Sequence, residues 1–496
     1  MIIVSVTGPS MKEALAQVAG SARYTDMFEF RLDMIERPNI AHLLSSTKKP
    51  TIATCRPDWE DGGFSGRERE RIEMLEIASV FGAHYIDIEL NANARIVHEF
   101  IRRQNVTKVI ISRHLPYGKP LNVSKLYSKL HASGADIVKL AFLATDTSEI
   151  RHAFDFLALA KLHRRKAIAV AMGEYGEPSR VLYKKFGGWA TYAASEDGKG
   201  AAQGQVCASQ LKELYRANSH RNSTKVFGVI GNPLAQSKGI YIHNSLFARA
   251  RKNSVYCRFA VANLRKFMKH IAPLLNGFSV TIPFKEKVLP YLDYVDSTTK
   301  AIGAVNTVIR RDGKLVGSNK DASAALDAVE RAVNVRGRKM LVVGAGGTAR
   351  AIAYEAKKRG AHVLITNRTQ RKAKKLAKKF GLGHVKLADV GRSTFDILVN
   401  ATSVGMVPRV DESPVPVEIL DDKIVFDVVY DPPMTKLLRD AKSRGARIIQ
   451  GTEMYLNQAA MQFETYSHTK PKIEVMRRIL AHHMEGMSRK HQAPSF

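Results

Sequence analysis

Residues 136–142 read DIVKLAF, and a lysine inside so apolar a run needs either a partner or a purpose. Burial disfavours the charged form of Lys139, and a neutral amine can attack a ketone to form a Schiff base. The resulting iminium is an electron sink that acidifies the neighbouring carbon. His114, which ends VIISRH (109–114), is the residue type to remove that proton and later protonate a leaving hydroxyl. Glu89, in DIEL (87–90), is placed to orient and tune the histidine. Glu29 and Arg31, with Asp33, share one face of FEFRLD by period-two alternation, as do Asp87 and Glu89 in DIEL. Arg56 closes the run TIATC. Taken singly, each residue reads better as structural, Lys139 in an ion pair with Glu29 or Glu89 and His114 as a hydrogen-bonded residue at a strand end. Their joint placement at the ends of apolar runs favours a site.

A second constellation lies in the other half. KMLVVGAGGTARAIAYEAKKRGAHVLITNRT (339–369) reads as strand, glycine-rich turn, helix and strand. Gly344, Gly346 and Gly347 permit a tight turn and close approach of backbone N–H groups to a pyrophosphate. The next strand ends in Asn367, Arg368 and Thr369, with Lys372 one turn on. NAD enzymes usually carry an acid there, so this cationic cluster points to NADP and its 2′-phosphate. The alternative is a solvated basic helix, RKAKKLAKKF (371–380). Upstream, Lys285 in VTIPFK and Asp321 in GSNKDA could supply and tune the proton that a reduced ketone requires.

The elements that must position these groups fall into two patterns. Eight strand patterns, at 2–8, 27–33, 51–57, 85–90, 108–114, 136–142, 167–173 and 189–194, alternate with amphipathic stretches, and QVCASQLKELYRA (205–217) follows the last. Eight strand–helix units in so few residues imply a compact (β/α)8 barrel, whose chemistry belongs at the carboxyl ends of its strands. The polar segment NSHRNSTK (218–225) reads as a linker, after which VFGVIG opens a new α/β series. The expected division is a barrel at 1–217, a linker at 218–225, a substrate domain at 226–331 plus 455–486, and a dinucleotide domain at 332–454.

Bulk properties narrow the class. The chain has 496 residues, 45% of them hydrophobic and 25% charged, as expected of a globular protein of two or three domains. No segment has the apolar length of a membrane span, and MIIVSVTGPS reads as a first strand rather than a signal peptide. Cys55, Cys207 and Cys257 lie far apart with no CxxC pair, which suits a reducing cytoplasm and offers no metal site. The net charge of +31 suggests nucleic acid, but the basic residues are dispersed and no RNP, helix-turn-helix or zinc-finger signature is present. A basic surface favouring anionic small-molecule substrates fits better.

The motifs of the first half, DIEL, VIISRH, IVKLA, MGEYGEPSRVLYKKFGG (172–188) and AAQGQ (201–205), resemble the type I 3-dehydroquinate dehydratases. The resemblance implies Lys139 as the Schiff-base lysine, His114 as general acid/base and Glu89 as its support. Glu29, Arg31, Arg56, Arg180 and Gln205 would line the substrate site. Arg113, Leu115 and Ala201 depart from the family pattern. Residues 226–486 resemble shikimate dehydrogenase through GNPxxxSK, VTIPFK, GAVNT, GAGG, NRT, NATSVGM (400–406) and GTEMYLNQA (451–459). That resemblance implies Lys285 and Asp321 as the catalytic pair. Ser237, Thr281, Asn306 and Gln458 would bind substrate, and Thr402 and Gly451 would flank the nicotinamide. Here Gly239 replaces a serine that holds the substrate carboxylate, which raises quinate oxidation, with a weak dehydratase, as a second reading. Ser279 and Lys320 are further departures. The order of the two halves resembles the fused enzyme of plants and chlamydia-like bacteria, acting on 3-dehydroquinate, 3-dehydroshikimate and shikimate.

Overall fold

The computed structural model describes residues 1–103, 106–115, 121–195, 200, 204–234 and 237–491. All eight expected strands of the first half form: β1 (Ile2–Val6), β2 (Met27–Arg31), β3 (Thr51–Thr54), β4 (Tyr85–Glu89), β5 (Lys108–Leu115), β6 (Ile137–Leu143), β7 (Lys166–Met172) and β8 (Thr191–Ala193). They make one parallel sheet in the order β7-β6-β5-β4-β3-β2-β1-β8. At the seam the Trp189 N–H reaches the Ala167 carbonyl at 2.8 Å, so the barrel is nearly closed.

Alternation along these strands explains where the polar groups go. Ile3, Met27, Ile52, Ile110, Ile137, Ile168 and Tyr192 form one buried apolar cluster, with Tyr85 packed against it. Two residues on, along the same faces, stand Ser5, Glu29, Thr54, Asp87, Ser112 and Lys139, and each is buried. Arg31, Glu89 and His114 follow at the next step. The apolar layer closes one end of the barrel, and the ionisable layers occupy the carboxyl end of the strands.

Two expectations need correction. QVCASQLKELYRA does not continue as an α-helix; it holds a five-residue π-helical turn, Gln210–Leu214. The segment 218–225, read as a linker, is packed, with His220 and Thr224 buried. The Asn218 side chain bonds Tyr183 and Asp26, and the His220 ring lies 2.9 Å from the Tyr215 carbonyl. Its polar side chains are consumed by hydrogen bonds, which composition alone does not disclose.

In the second half, β9 (Lys225–Gly231), β10 (Ser254–Ala260), β11 (Gly277–Val280), β12 (Tyr294–Val295), β13 (Thr307–Arg311) and β14 (Lys314–Ser318) form a sheet ordered β10-β9-β11-β13-β14-β12. The last sheet contains β15 (Lys339–Val343), β16 (His362–Thr366), β17 (Gly383–His384), β18 (Ile397–Asn400), β19 (Ile424–Asp427) and β20 (Arg447–Ile449). All its pairs are parallel, in the order β17-β16-β15-β18-β19-β20. That is the doubly wound dinucleotide-binding order, with its crevice beside the carboxyl end of β15. Contacts divide the chain into two compact units: 1–228, 232–237 and 253–275 in one; 229–231, 238–252 and 276–496 in the other.

Candidate active sites

Lys139 is 4% exposed, and its Nζ donates to Asp87 Oδ2 at 2.8 Å and to the Tyr192 hydroxyl at 2.9 Å. Glu29 Oε1 lies 3.5 Å away. The register explains the first contact: β4 sets Asp87 beside Ile110 of β5, and β5 sets Ser112 beside Lys139 of β6. Ser112 donates to Asp87 at 2.6 Å. Burial alone would raise the Asp87 carboxyl, but Arg56 and Lys139 overcome it and hold the value at about 2.

His114 is enclosed, and burial, then the cations Arg56, Lys139, Arg31 and Arg113, push it well below its ordinary 6.5. The imidazole is therefore neutral at physiological pH and able to accept a proton. Its expected carboxylate was Glu89; the structure supplies Glu60 instead. Glu60 Oε2 accepts the His114 backbone N–H at 3.0 Å and lies 3.3 Å from Nδ1. Glu89 opposes Ser112, not His114, in the β4–β5 register, and its two oxygens are taken by Arg56 and the fully buried Arg71. Arg113, which departs from the family pattern, donates to the other oxygen of Glu60 at 2.5 Å.

The other expected binding residues differ in availability. Arg31 is locked in a two-point pair with Asp33, at 2.9 and 2.7 Å. Arg56 is the hub of the carboxylates, bonded to Asp87, Glu89 and Ser112. Arg180 is different. It is 1% exposed, its Nη1 donates to the Tyr192 carbonyl at 3.2 Å, and its Nε has no partner. No acid lies within ion-pair distance of it among the described residues, and burial draws the guanidinium down to about 10. A buried cation with an unused donor fits an anionic ligand. Gln205 likewise keeps a buried carbonyl oxygen without a donor. Ala201 lies outside the described residues.

In the second unit Lys285 Nζ sits 2.5 Å from Asp321 Oδ2 and 3.0 Å from the Thr348 hydroxyl. Asn306 Nδ2 donates to Asp321 Oδ1 at 2.7 Å and to Gln458 Oε1 at 3.4 Å, so these four expected residues share one network. Thr281 begins the turn that leads to Lys285, with its N–H on the Ile230 carbonyl. Ser279, departing from the usual asparagine, bonds Gln462. The Lys320 N–H secures Asn306 Oδ1 at 2.8 Å. Ser237 is half-buried, with its N–H on the Leu234 carbonyl. Gly239 opens the helix Gly239–Arg249.

The dinucleotide expectation can be tested on the glycines. Gly344 has φ +128°, and a Cβ there would meet the Ala401 carbonyl at 2.9 Å. Gly346 has open space where its Cβ would stand, at the N-terminus of the helix Gly347–Lys358. Gly347 packs on Lys285, which brings the helix start beside the Lys285–Asp321 pair. Past β16, Arg368, Thr369 and Lys372 are exposed and Asn367 is half-buried, with no acid at 367–369. This cradle fits a 2′-phosphorylated dinucleotide. Thr402 is fixed by Asn400, which in turn bonds the buried Asp427. A Cβ at Gly451 would stand 2.4 Å from the Val429 carbonyl, so that helix start admits no side chain.

Glu60, Asp87, Tyr192, Arg71 and Thr348 were not among the expected site residues. Asp87 was visible in DIEL; Glu60 lies in a turn, and Tyr192 reads as core.

Fold and sites together define a two-part enzyme: a barrel with a buried lysine among carboxylates, joined to a dinucleotide-dependent dehydrogenase. A type I 3-dehydroquinase model matches residues 2–222, a shikimate dehydrogenase substrate-binding domain 229–308, and a shikimate/quinate 5-dehydrogenase 326–415. The chloroplastic bifunctional 3-dehydroquinate dehydratase/shikimate dehydrogenase of Arabidopsis thaliana is 36% identical over 474 residues, 89% of this chain and 77% of that protein. A shikimate biosynthesis protein of Chlamydia pneumoniae is 28% identical, over 93% of this chain and 94% of its own length. A solved shikimate dehydrogenase in complex with NADP+ is 37% identical with a TM-score of 0.50, covering 53% of this chain and 96% of that one. The chain belongs to the bifunctional 3-dehydroquinate dehydratase/shikimate dehydrogenase family.

Proposed function

We propose that the two sites work in series on one carbocyclic acid, dehydrating 3-dehydroquinate to 3-dehydroshikimate and then reducing it to shikimate. In the barrel, Lys139 forms the Schiff base with the ketone, and the substrate carboxylate pairs with Arg180. Gln205, Glu29, Arg31 and Arg56 surround the ring. Neutral His114, held by Glu60, removes the proton beside the iminium and returns it to the departing hydroxyl. The observation that supports this most strongly is the pairing through Tyr192, whose hydroxyl touches the nucleophile while its carbonyl holds the orphaned guanidinium.

In the dehydrogenase half, Ser237, Thr281, Asn306 and Gln458 bind the acid and its hydroxyls. Lys285, tuned by Asp321, gives its proton to the oxygen of the reduced carbonyl. NADPH, held by Gly344, Gly346 and Gly347 with its 2′-phosphate near Asn367, Arg368, Thr369 and Lys372, supplies the hydride when bound, and Thr402 and Gly451 flank its nicotinamide. We assign 1–217 to the first activity and 226–486 to the second. Among the described residues no helix is long and apolar enough to cross a membrane. The free thiols Cys55, Cys207 and Cys257 favour a reducing compartment such as the cytoplasm.

Borohydride reduction in the presence of 3-dehydroquinate tests the first site. Peptide mapping should find the added mass on Lys139; an unmodified Lys139, or an adduct on another lysine, would remove the assignment.

A further inference from the structure

Tyr192 lies on β8, in a stretch that reads as ordinary core. Its hydroxyl is 2.9 Å from Lys139 Nζ, and the same nitrogen stands 4.3 Å from its ring centre. The phenol also faces Glu29, whose carboxylate is held by the Ser5 and Thr54 hydroxyls at 2.6 and 3.0 Å. A cationic Lys139 must lose a proton before it can attack a ketone, and the hydroxyl that leaves the adduct must gain one. Asp87 is the nearer carboxylate, but Arg56, Ser112 and Lys139 together hold it at about 2, which makes it a poor proton acceptor. Glu29 is bound by the Ser5 and Thr54 hydroxyls, with Lys139 Nζ at 3.5 Å as its ion-pair partner.

The geometry points to Tyr192 as a further catalytic residue, a neutral proton relay between Lys139 and Glu29. This rests on the reading of Lys139 as the Schiff-base nucleophile. The Nζ proton passes to the tyrosine oxygen as the tyrosine's own proton passes to Glu29. The freed amine forms the C–N bond, and a proton moves from nitrogen to the former carbonyl oxygen, giving the carbinolamine. Glu29 then returns its proton to that hydroxyl, the C–O bond breaks, and water leaves as the nitrogen lone pair closes the iminium. Ketone and ammonium become iminium and water, with Tyr192 and Glu29 restored. No further reactant is required.

Tyr192→Phe in the full chain removes one oxygen and keeps the ring. Single-turnover mixing with saturating 3-dehydroquinate, quenched in borohydride at successive times, reads the rate of adduct formation at Lys139. The expected result is at least a roughly tenfold slower rate near neutral pH. That rate should climb with pH through a range where the parent enzyme is flat, with reduction of 3-dehydroshikimate unchanged. Glu29→Gln should slow the same step, and the double variant should be no slower than either single one. A parental rate and pH profile in Tyr192→Phe overturns the relay, as does additive slowing in the double variant. Absence of an adduct in the parent enzyme overturns the nucleophile itself, so the two failures are distinguishable.

Discussion

Replacing Arg180 by methionine should make the barrel more stable and nearly useless. The guanidinium is buried with no acid within ion-pair distance among the described residues, and burial lowers it from 12.5 to about 10. At ~1.4 kcal/mol for each such step, the charge costs the fold about 3 kcal/mol. Because the folded value lies below the unfolded one, that cost is complete at neutral pH and fades only as the pH rises past 10. Methionine fills a similar volume with apolar atoms and forfeits the bond from Nη1 to the Tyr192 carbonyl, worth about 1 kcal/mol. The net gain is about 2 kcal/mol. The substrate loses a charge-assisted partner for its carboxylate, about 3 kcal/mol or a roughly 100-fold fall in kcat/KM for dehydration. Since the chain has two units, stability is best read locally, by hydrogen exchange at β7 and β8. The dehydrogenase reaction serves as the control. A variant that loses protection there and keeps its kcat/KM would refute the reasoning, because Arg180 would then be a structural cation.

Three further outcomes are expected. Half-buried His114 and buried His243 are both neutral, the latter at about 3 through burial, so below pH 6.5 the unfolded chain takes up protons first. Each should cost about 1.4 kcal/mol per pH unit as the pH falls below that point and nothing above it, which urea midpoints across pH 4–8 will show. Gly344→Ala should lower both stability and NADPH affinity, because of its positive φ and the 2.9 Å contact. Gly346→Ala, which meets nothing within 4 Å, should weaken NADPH binding alone, measured by fluorescence titration beside a thermal melt. Arg368→Gln should cut the preference for NADPH over NADH by roughly tenfold or more without changing the KM for shikimate, if the exposed guanidinium meets the 2′-phosphate as proposed.

The sequence carried more of the fold than of the pairings within it. Lys139 and His114 stood out because ionisable groups at the ends of apolar strands are costly, and all eight barrel strands followed from alternation. Glu60 did not stand out, because a carboxylate in the turn Asp58–Glu60 is unremarkable until the fold brings it to the end of β5. Glu89 looked like the partner of His114 because both end strands on the same side. Strand register sets Glu89 beside Ser112, where its oxygens pair with two arginines. Arg71 was hidden in RERERIEML, where helical charges usually face water. The role of Arg113 became visible only through Glu60. The 218–225 segment shows the converse, since polar composition indicated a linker and its side-chain hydrogen bonds tie it to its surroundings.

The most direct measurement is to give the purified chain 3-dehydroquinate and NADPH and identify the product by chromatography. The account predicts shikimate, formed through 3-dehydroshikimate, which accumulates when Lys285 is replaced and never forms when Lys139 is replaced. Quinate as the product would contradict it, because the dehydrogenase half would then be reducing 3-dehydroquinate directly while the barrel stood idle.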